Sequence, residues 1–160
     1  MPRAALKKDA RLQNYFSDEA ERRSVTRALF DEAAAGYDQA EFLTGLGSGP
    51  WYRREVLRRC GLQAGMTVLD VAAGTGLVSV EAQALVGPEG RVLALDPSPG
   101  MLAELGRKLP VETLVAYAEE IPLPDASVDF ISMGYALRHV GDIDRAFAEY
   151  FKGVEALPGM

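Results

Sequence analysis

From Met66 onward the chain alternates short β-branched runs with stretches of helical pattern, and this alternation limits the fold more than any other feature. The runs are "TVLDV", "RVLALD", "VETLVAY" and "VDFISMG"; helical patterns follow the first to about Val86, lie near Met101 to Leu109, and lie near Ile143 to Val154. A strand that feeds a helix and then another strand returns by a right-handed crossover, so the strands run parallel with helices on both faces. The expected class is α/β, with a doubly wound, mainly parallel sheet. At 160 residues, 48% of them hydrophobic, the chain can bury one core and form one domain.

The first third reads as helical. Ser17 followed by Asp18, Glu19 and Glu21 suits an N-cap and an acidic first turn, and Gly36 is expected to close the segment that carries Val25, Leu29, Phe30 and Ala33. A glycine-rich connection follows, in which Pro50 suits the start of a helix and Gly61 its end. Residues 1–61 are thus expected to form an N-terminal helical segment, and residues 62–160 the sheet-bearing core.

Composition narrows the function classes. The 17 basic and 23 acidic residues give a net charge of −6, which argues against a nucleic-acid footprint or attraction to an anionic membrane. Cys60 is the only cysteine and His139 the only histidine, so neither an intrachain disulfide nor a Cys/His zinc cluster can form, and no metal is expected. A single cysteine suits a reducing cytosol. Arg3, Lys7, Lys8 and Arg11 precede no apolar run, so neither a signal peptide nor a membrane span is written there.

The stretch "VLDVAAGTGL" sets Gly74 and Gly76 just past the first strand of the pattern, where a doubly wound sheet binds ligands. Glycine there lets backbone approach a ligand. No "GKS" or "GKT" follows to make a phosphate loop, and a dinucleotide fingerprint requires glycine where Ala72 stands. A tight strand-to-helix turn with no ligand fits these residues equally well. Asp96 then ends "RVLALD" about twenty residues later, where a carboxylate can accept both hydroxyls of a ribose. Capping the helix that begins near Pro97 to Pro99 is a compatible role for it.

The motifs "FDEAAAGYD", "VLDVAAGTG", "AEEIPLPDASVDFI" and "GYALRHVGD" together resemble the class I S-adenosylmethionine (SAM) methyltransferases of the ubiquinone and menaquinone biosynthesis type, the UbiE-like C-methyltransferases. The resemblance runs from Phe30 to about Val140. Its most specific part is the aromatic-Ala-Leu-Arg run followed by a polar residue and Val.

The resemblance implies a Rossmann-like core of the class I methyltransferase type and SAM as cofactor. Asp70, Thr75 and the glycines Gly74 and Gly76 would line the methionine end, Asp96 would hold the ribose, and the segment Tyr117, Ala118, Glu119 would pass the adenine. Ala72, Pro97, Met101 and Gly134 complete the implied cofactor set, while Tyr37 and Trp51 fall to the substrate and residues 1–61 cover the substrate side. Methyl transfer to a ring carbon of an electron-rich quinol needs alignment and desolvation, helped by a base for the neighbouring phenol. Tyr135, Arg138 and His139 are the candidates, Arg138 also as a support for a developing phenolate. Pairing of Arg138 with Asp142 or Asp144, and a merely solvated His139, are the plain alternatives.

Two departures from the family pattern shape the expectations. Tyr117 stands where the family has Asp or Asn to accept from the adenine amino group. The family also continues into an "LKPGG" turn and three more strands, whereas this sequence runs "FKGVEALPGM" to Met160. The sheet is therefore expected to lack its final strands, leaving the "VDFISM" edge open to a second copy or to the continuation of a longer chain, unless residues 146–160 fold over it. Three functions stay open: a quinol C-methyltransferase in the cytoplasm, with membrane contact only through a lipid-tailed substrate; a SAM-binding relative with other quinone chemistry, of the rhodoquinone type; and a non-catalytic partner subunit.

Overall fold

A computed structural model describes residues 18–45, 48–134 and 136–154. Helix α1 spans Glu19–Gly45. The Glu21 N–H donates to the Asp18 carboxylate at 2.8 Å, so Asp18 fills the capping role; Ser17 lies outside the described residues. Gly36 does not end the helix, which runs nine residues past it. A mid-helix glycine costs about 1 kcal/mol relative to alanine. Polar contacts on either side of it, at Asp31 and Asp38, fasten α1 to the rest of the molecule and outweigh that local preference. Helix α2 (Gly49–Arg59) starts with Pro50 in its first turn and stops at Gly61, whose φ of +94° suits glycine.

The core follows as β1 (Thr67–Val71), α3 (Leu77–Val86), β2 (Arg91–Asp96), α4 (Pro99–Lys108), β3 (Glu112–Val115), β4 (Phe130–Met133) and α5 (Ile143–Gly153). The sheet has the order β3-β2-β1-β4 and every pairing is parallel. β3 and β4 are shorter than their apolar runs, and at their C-terminal ends this is where their partners end. β2 stops at Asp96 opposite Val115, and β1 stops at Val71 opposite Met133.

Alternation along the central strands supplies both faces. Val68 and Val92 pack with Leu57, Ala82 and Val86 under α2 and α3, and Ala94 packs with Leu102 and Leu105 of α4. Leu69, Val71, Leu93 and Leu95 point the other way, onto Ala118, Val128 and Ala146 of α5. The connections after β1 and β2 thus cover one face, and α5 the other. That change of side places the switch point between β1 and β4.

Among the described residues no strand lies outside β4. Its approach is partly covered: Val154 forms a parallel bridge with Val128, and the N–H groups of Ala126, Ser127 and Val128 donate to the carbonyls of Lys152 and Gly153. The last turn of α5 and Val154 thus cover the residues leading into β4. Ile143, Phe147 and Phe151 form an outward stripe on α5. No helix among the described residues is long and apolar enough to cross a membrane.

Candidate functional site

The C-terminal ends of β1, β2 and β4 open into a cavity of about 460 Å³ roofed by α1. Its floor is the turn from β1 into α3. Ala72, Gly74 and Gly76 all adopt positive φ there, at +54°, +56° and +84°. The two glycines serve different ends. A Cβ on Gly76 would fall 2.6 Å from Leu105 Cγ, so that glycine lets the turn pack against α4, and it does not line the cavity. A Cβ on Gly74 would meet no protein atom within 4 Å, so the space beside it belongs to the cavity.

Asp96 closes β2 at the same end, 8% exposed. Its Oδ2 accepts the Gly74 N–H at 2.9 Å and its Oδ1 the Ser98 N–H at 2.8 Å. A carboxylate oxygen has two acceptor positions, so each keeps capacity for a hydroxyl from the cavity. Burial raises its pKa despite those two donors. Asp70, on β1, is wholly buried between Ser79 Oγ at 2.6 Å and Ser132 Oγ at 2.8 Å. Burial pushes it up to about 6, with the two hydroxyls pulling the other way. A carboxylate pair set to accept, beside glycine backbone, fits a ligand with neutral hydroxyls and a cationic end. Among the described residues no group of three His, Cys, Asp or Glu could hold a metal.

A third wall is the segment after β3. Tyr117, Ala118 and Glu119 line the cavity, and the Arg23 guanidinium lies 4.6 Å above the Tyr117 ring, a cation–π distance. Glu119, 3% exposed, accepts from Arg23 at 3.1 Å and from the N–H groups of Gly141 and Asp142 at 2.9 and 3.2 Å. One of its oxygens thus ties α1 to the start of α5.

At the mouth, the 3-10 turn Leu137–His139 presents Arg138 and His139. Arg138 Nε donates to His139 Nε2 at 3.0 Å, which requires a neutral imidazole. Burial, then Arg138 and Arg22, lower the His139 pKa in the same sense. The ring stands edge-on to Phe30 with centroids 5.4 Å apart. No hydrogen bond joins Arg138 to Asp142; instead Asp142 caps α5 by accepting the Arg145 N–H.

Most of the residues singled out from sequence converge on this cavity: Asp70, Ala72, Gly74, Thr75, Asp96 and Pro97 on the inner side, then Met101, Tyr117, Ala118 and Glu119, with Gly134, Arg138, His139 and Tyr37 completing the set. Trp51 is 71% exposed and stands outside the lining, as does Gly76. Tyr135 lies outside the described residues. The sequence reading missed Arg22, Arg23 and Arg27 of α1 and the buried Arg53 of α2, all in the cavity wall. The spacing of the α1 arginines at one and then four residues was the available signal, since it keeps them near one helix face.

Comparison with known proteins agrees with this geometry. The model of the ubiE/COQ5 methyltransferase family matches residues 17–158. The ubiquinone/menaquinone biosynthesis C-methyltransferase UbiE of Hahella chejuensis is 36% identical over 137 residues, 81% of this chain and 55% of the relative. The demethylmenaquinone methyltransferase of Symbiobacterium thermophilum is 34% identical over 140 residues, 82% of this chain and 55% of the relative. The chain therefore spans about half the length of these curated relatives. A crystal structure of a SAM-dependent methyltransferase from Aquifex aeolicus superposes with a TM-score of 0.61 at 32% identity, covering 64% of this chain and 58% of that one. The fold is that of class I SAM-dependent methyltransferases, and the chain belongs to the ubiE/COQ5 methyltransferase family.

Proposed function

We propose that the protein binds SAM and takes part in C-methylation of a quinol ring in quinone biosynthesis. The observation that carries this reading is Asp96, a buried carboxylate at the end of β2 that lines the cavity and whose two oxygens each spend only one acceptor position on backbone. That arrangement suits the two adjacent hydroxyls of a ribose. The buried Asp70 and the glycine turn suit a cationic amino-acid end, and Tyr117 with Ala118 suits the flat face of a base.

When bound, the cofactor supplies an electrophilic methyl group. The chain's own residues then have three tasks. The glycine turn and Asp96 fix the ligand along the strand ends. The apolar mouth residues Phe30 and Tyr37 receive the aromatic ring and exclude water from it. Arg138, its Nε held by neutral His139, turns the rest of its fork to a ring oxygen and steadies the phenolate as the carbon becomes nucleophilic. His139 orients Arg138 in this arrangement, because its Nε2 lone pair is already engaged.

A substrate with a lipid tail would bring the protein to a membrane surface from the cytoplasm. The same reading expects the outer edge of β4 to meet further polypeptide, a second copy or the continuation of the chain. Calorimetric titration with S-adenosylhomocysteine tests the cofactor assignment. Asp96→Ala should weaken binding by about 1.5 to 3 kcal/mol, since two hydroxyls lose a charged acceptor. Unchanged affinity overturns the ribose assignment. Loss of a methylated quinone on deletion of the gene tests the reaction.

A further inference from the structure

Asp31 does not line the cavity, yet it ends a relay that reaches Asp96. Its Oδ1 accepts from Ser98 Oγ at 2.6 Å and from the Gly100 N–H at 2.8 Å. Ser98 Oγ also accepts the Met101 N–H at 3.1 Å, capping α4, while the Ser98 N–H donates to Asp96 Oδ1 at 2.8 Å. Ser98 is 1% exposed, so water does not substitute for a lost partner. Gly100 is part of the same device. A Cβ there would sit 2.9 Å from Asp31 Oδ1 and 3.1 Å from its Cα, so glycine is what allows α1 to approach the start of α4.

We propose that Asp31 is a positioning residue for the ribose, setting the plane of the Asp96 carboxylate through the Ser98 turn without touching the ligand. The proposal rests on the SAM reading of the cavity. One oxygen of Asp31 fixes the rotor of the Ser98 hydroxyl, and the hydroxyl fixes the turn whose N–H aims at Asp96. Removing that oxygen frees the hydroxyl, loosens the cap of α4 and lets the Asp96 carboxylate rotate about its last bond. Only acceptor capacity is used, so asparagine can replace aspartate here. The carboxyl of Asp31 is held below its ordinary range by these same donors, Ser98 first, so it stays an acceptor across the neutral range.

The test is a double-mutant cycle read by titration with S-adenosylhomocysteine, joined to hydrogen exchange of the Ser98 amide without ligand. Asp31→Ala should weaken binding roughly tenfold in the wild-type background and less than about twofold when combined with Asp96→Ala. Asp31→Asn should restore affinity to within about threefold of wild type, and the Ser98 amide should exchange faster in Asp31→Ala alone. Equal losses in both backgrounds, or an asparagine variant as weak as alanine, would overturn the relay. Should the unaltered protein not bind S-adenosylhomocysteine, the cofactor reading fails. The Ser98 amide then decides the relay by itself: faster exchange in Asp31→Ala upholds it and unchanged exchange overturns it.

Discussion

The inner half of the cavity and its mouth are built on different principles. The inner half consists of strand ends and the turns that leave them, with Asp70 and Asp96 pinned by Ser79, Ser132 and two backbone N–H groups. The two carboxylates are themselves buried and each is held by two hydrogen bonds, so their geometry is fixed before any ligand arrives. The mouth consists of long side chains from helices and a 3-10 turn: Arg22, Arg23 and Arg27 of α1, with Arg138 and His139 opposite. Its charged side chains are partly solvated, as Arg23 is where it meets Glu119 and as Arg138 is beside His139. The proposed function divides along the same line, with the cofactor at the inner half and chemistry and substrate choice at the mouth.

The sharpest way to break that division is Arg138→Ala. On the role proposed for Arg138, its loss should lower kcat on the order of 10²-fold with the KM for SAM little changed. A rise in that KM with kcat intact would place Arg138 with the cofactor and erase the distinction. Steady-state kinetics on a demethylated quinol measures it.

A smaller effect probes the cost of the inner half. Asp70 has its folded pKa raised from 3.8 to about 6, so the folded state holds the proton more tightly than the unfolded state. Its contribution to stability is fully present below about pH 4 and is lost as the pH rises through about 6. Asp70→Asn should therefore be more stable than wild type at pH 7, by about 1 to 3 kcal/mol, with the gap closing toward pH 4. Denaturant midpoints at the two pH values measure this. A gap independent of pH would mean that the inner half carries no such cost.

The smallest effect concerns backbone. Ala72 adopts φ of +54°, which glycine occupies without strain. Ala72→Gly should change stability by no more than about 1 kcal/mol, in the stabilising direction, because relief of the left-handed conformation exceeds the added freedom of the unfolded chain. Thermal unfolding checks the sign. Destabilisation would show that the alanine methyl packs usefully in the floor.

What the sequence disclosed follows the same division. Gly74 and Asp96 were legible because the turn and the strand end are local in sequence, whereas Gly76, read as lining the ligand, owes its residue type to the packing of Leu105. Gly36 misled, since its local preference ends a helix, while distant partners that grip Asp38 and Asp31, Thr75 and Lys108 on the one and Ser98 and Gly100 on the other, fasten α1 past it. Arg53 was hidden for a related reason: a guanidinium on a short helix reads as solvated until α2 is seen to turn it inward. Tyr117 was noticed as a departure, but the cation above its ring comes from a helix ninety-four positions earlier and leaves no trace in the local pattern.

The parallel pairing of β1 with β4 bears on the order in which the molecule assembles. Asp70 and Ser132 are 62 residues apart, and Leu69 finds its neighbour Ile131 only across the same gap. Until that late strand docks, Asp70 lacks its second hydroxyl partner. Closing so long a loop is slow. During synthesis, the cavity therefore becomes complete only after the ribosome has delivered Val140, the last residue of its wall.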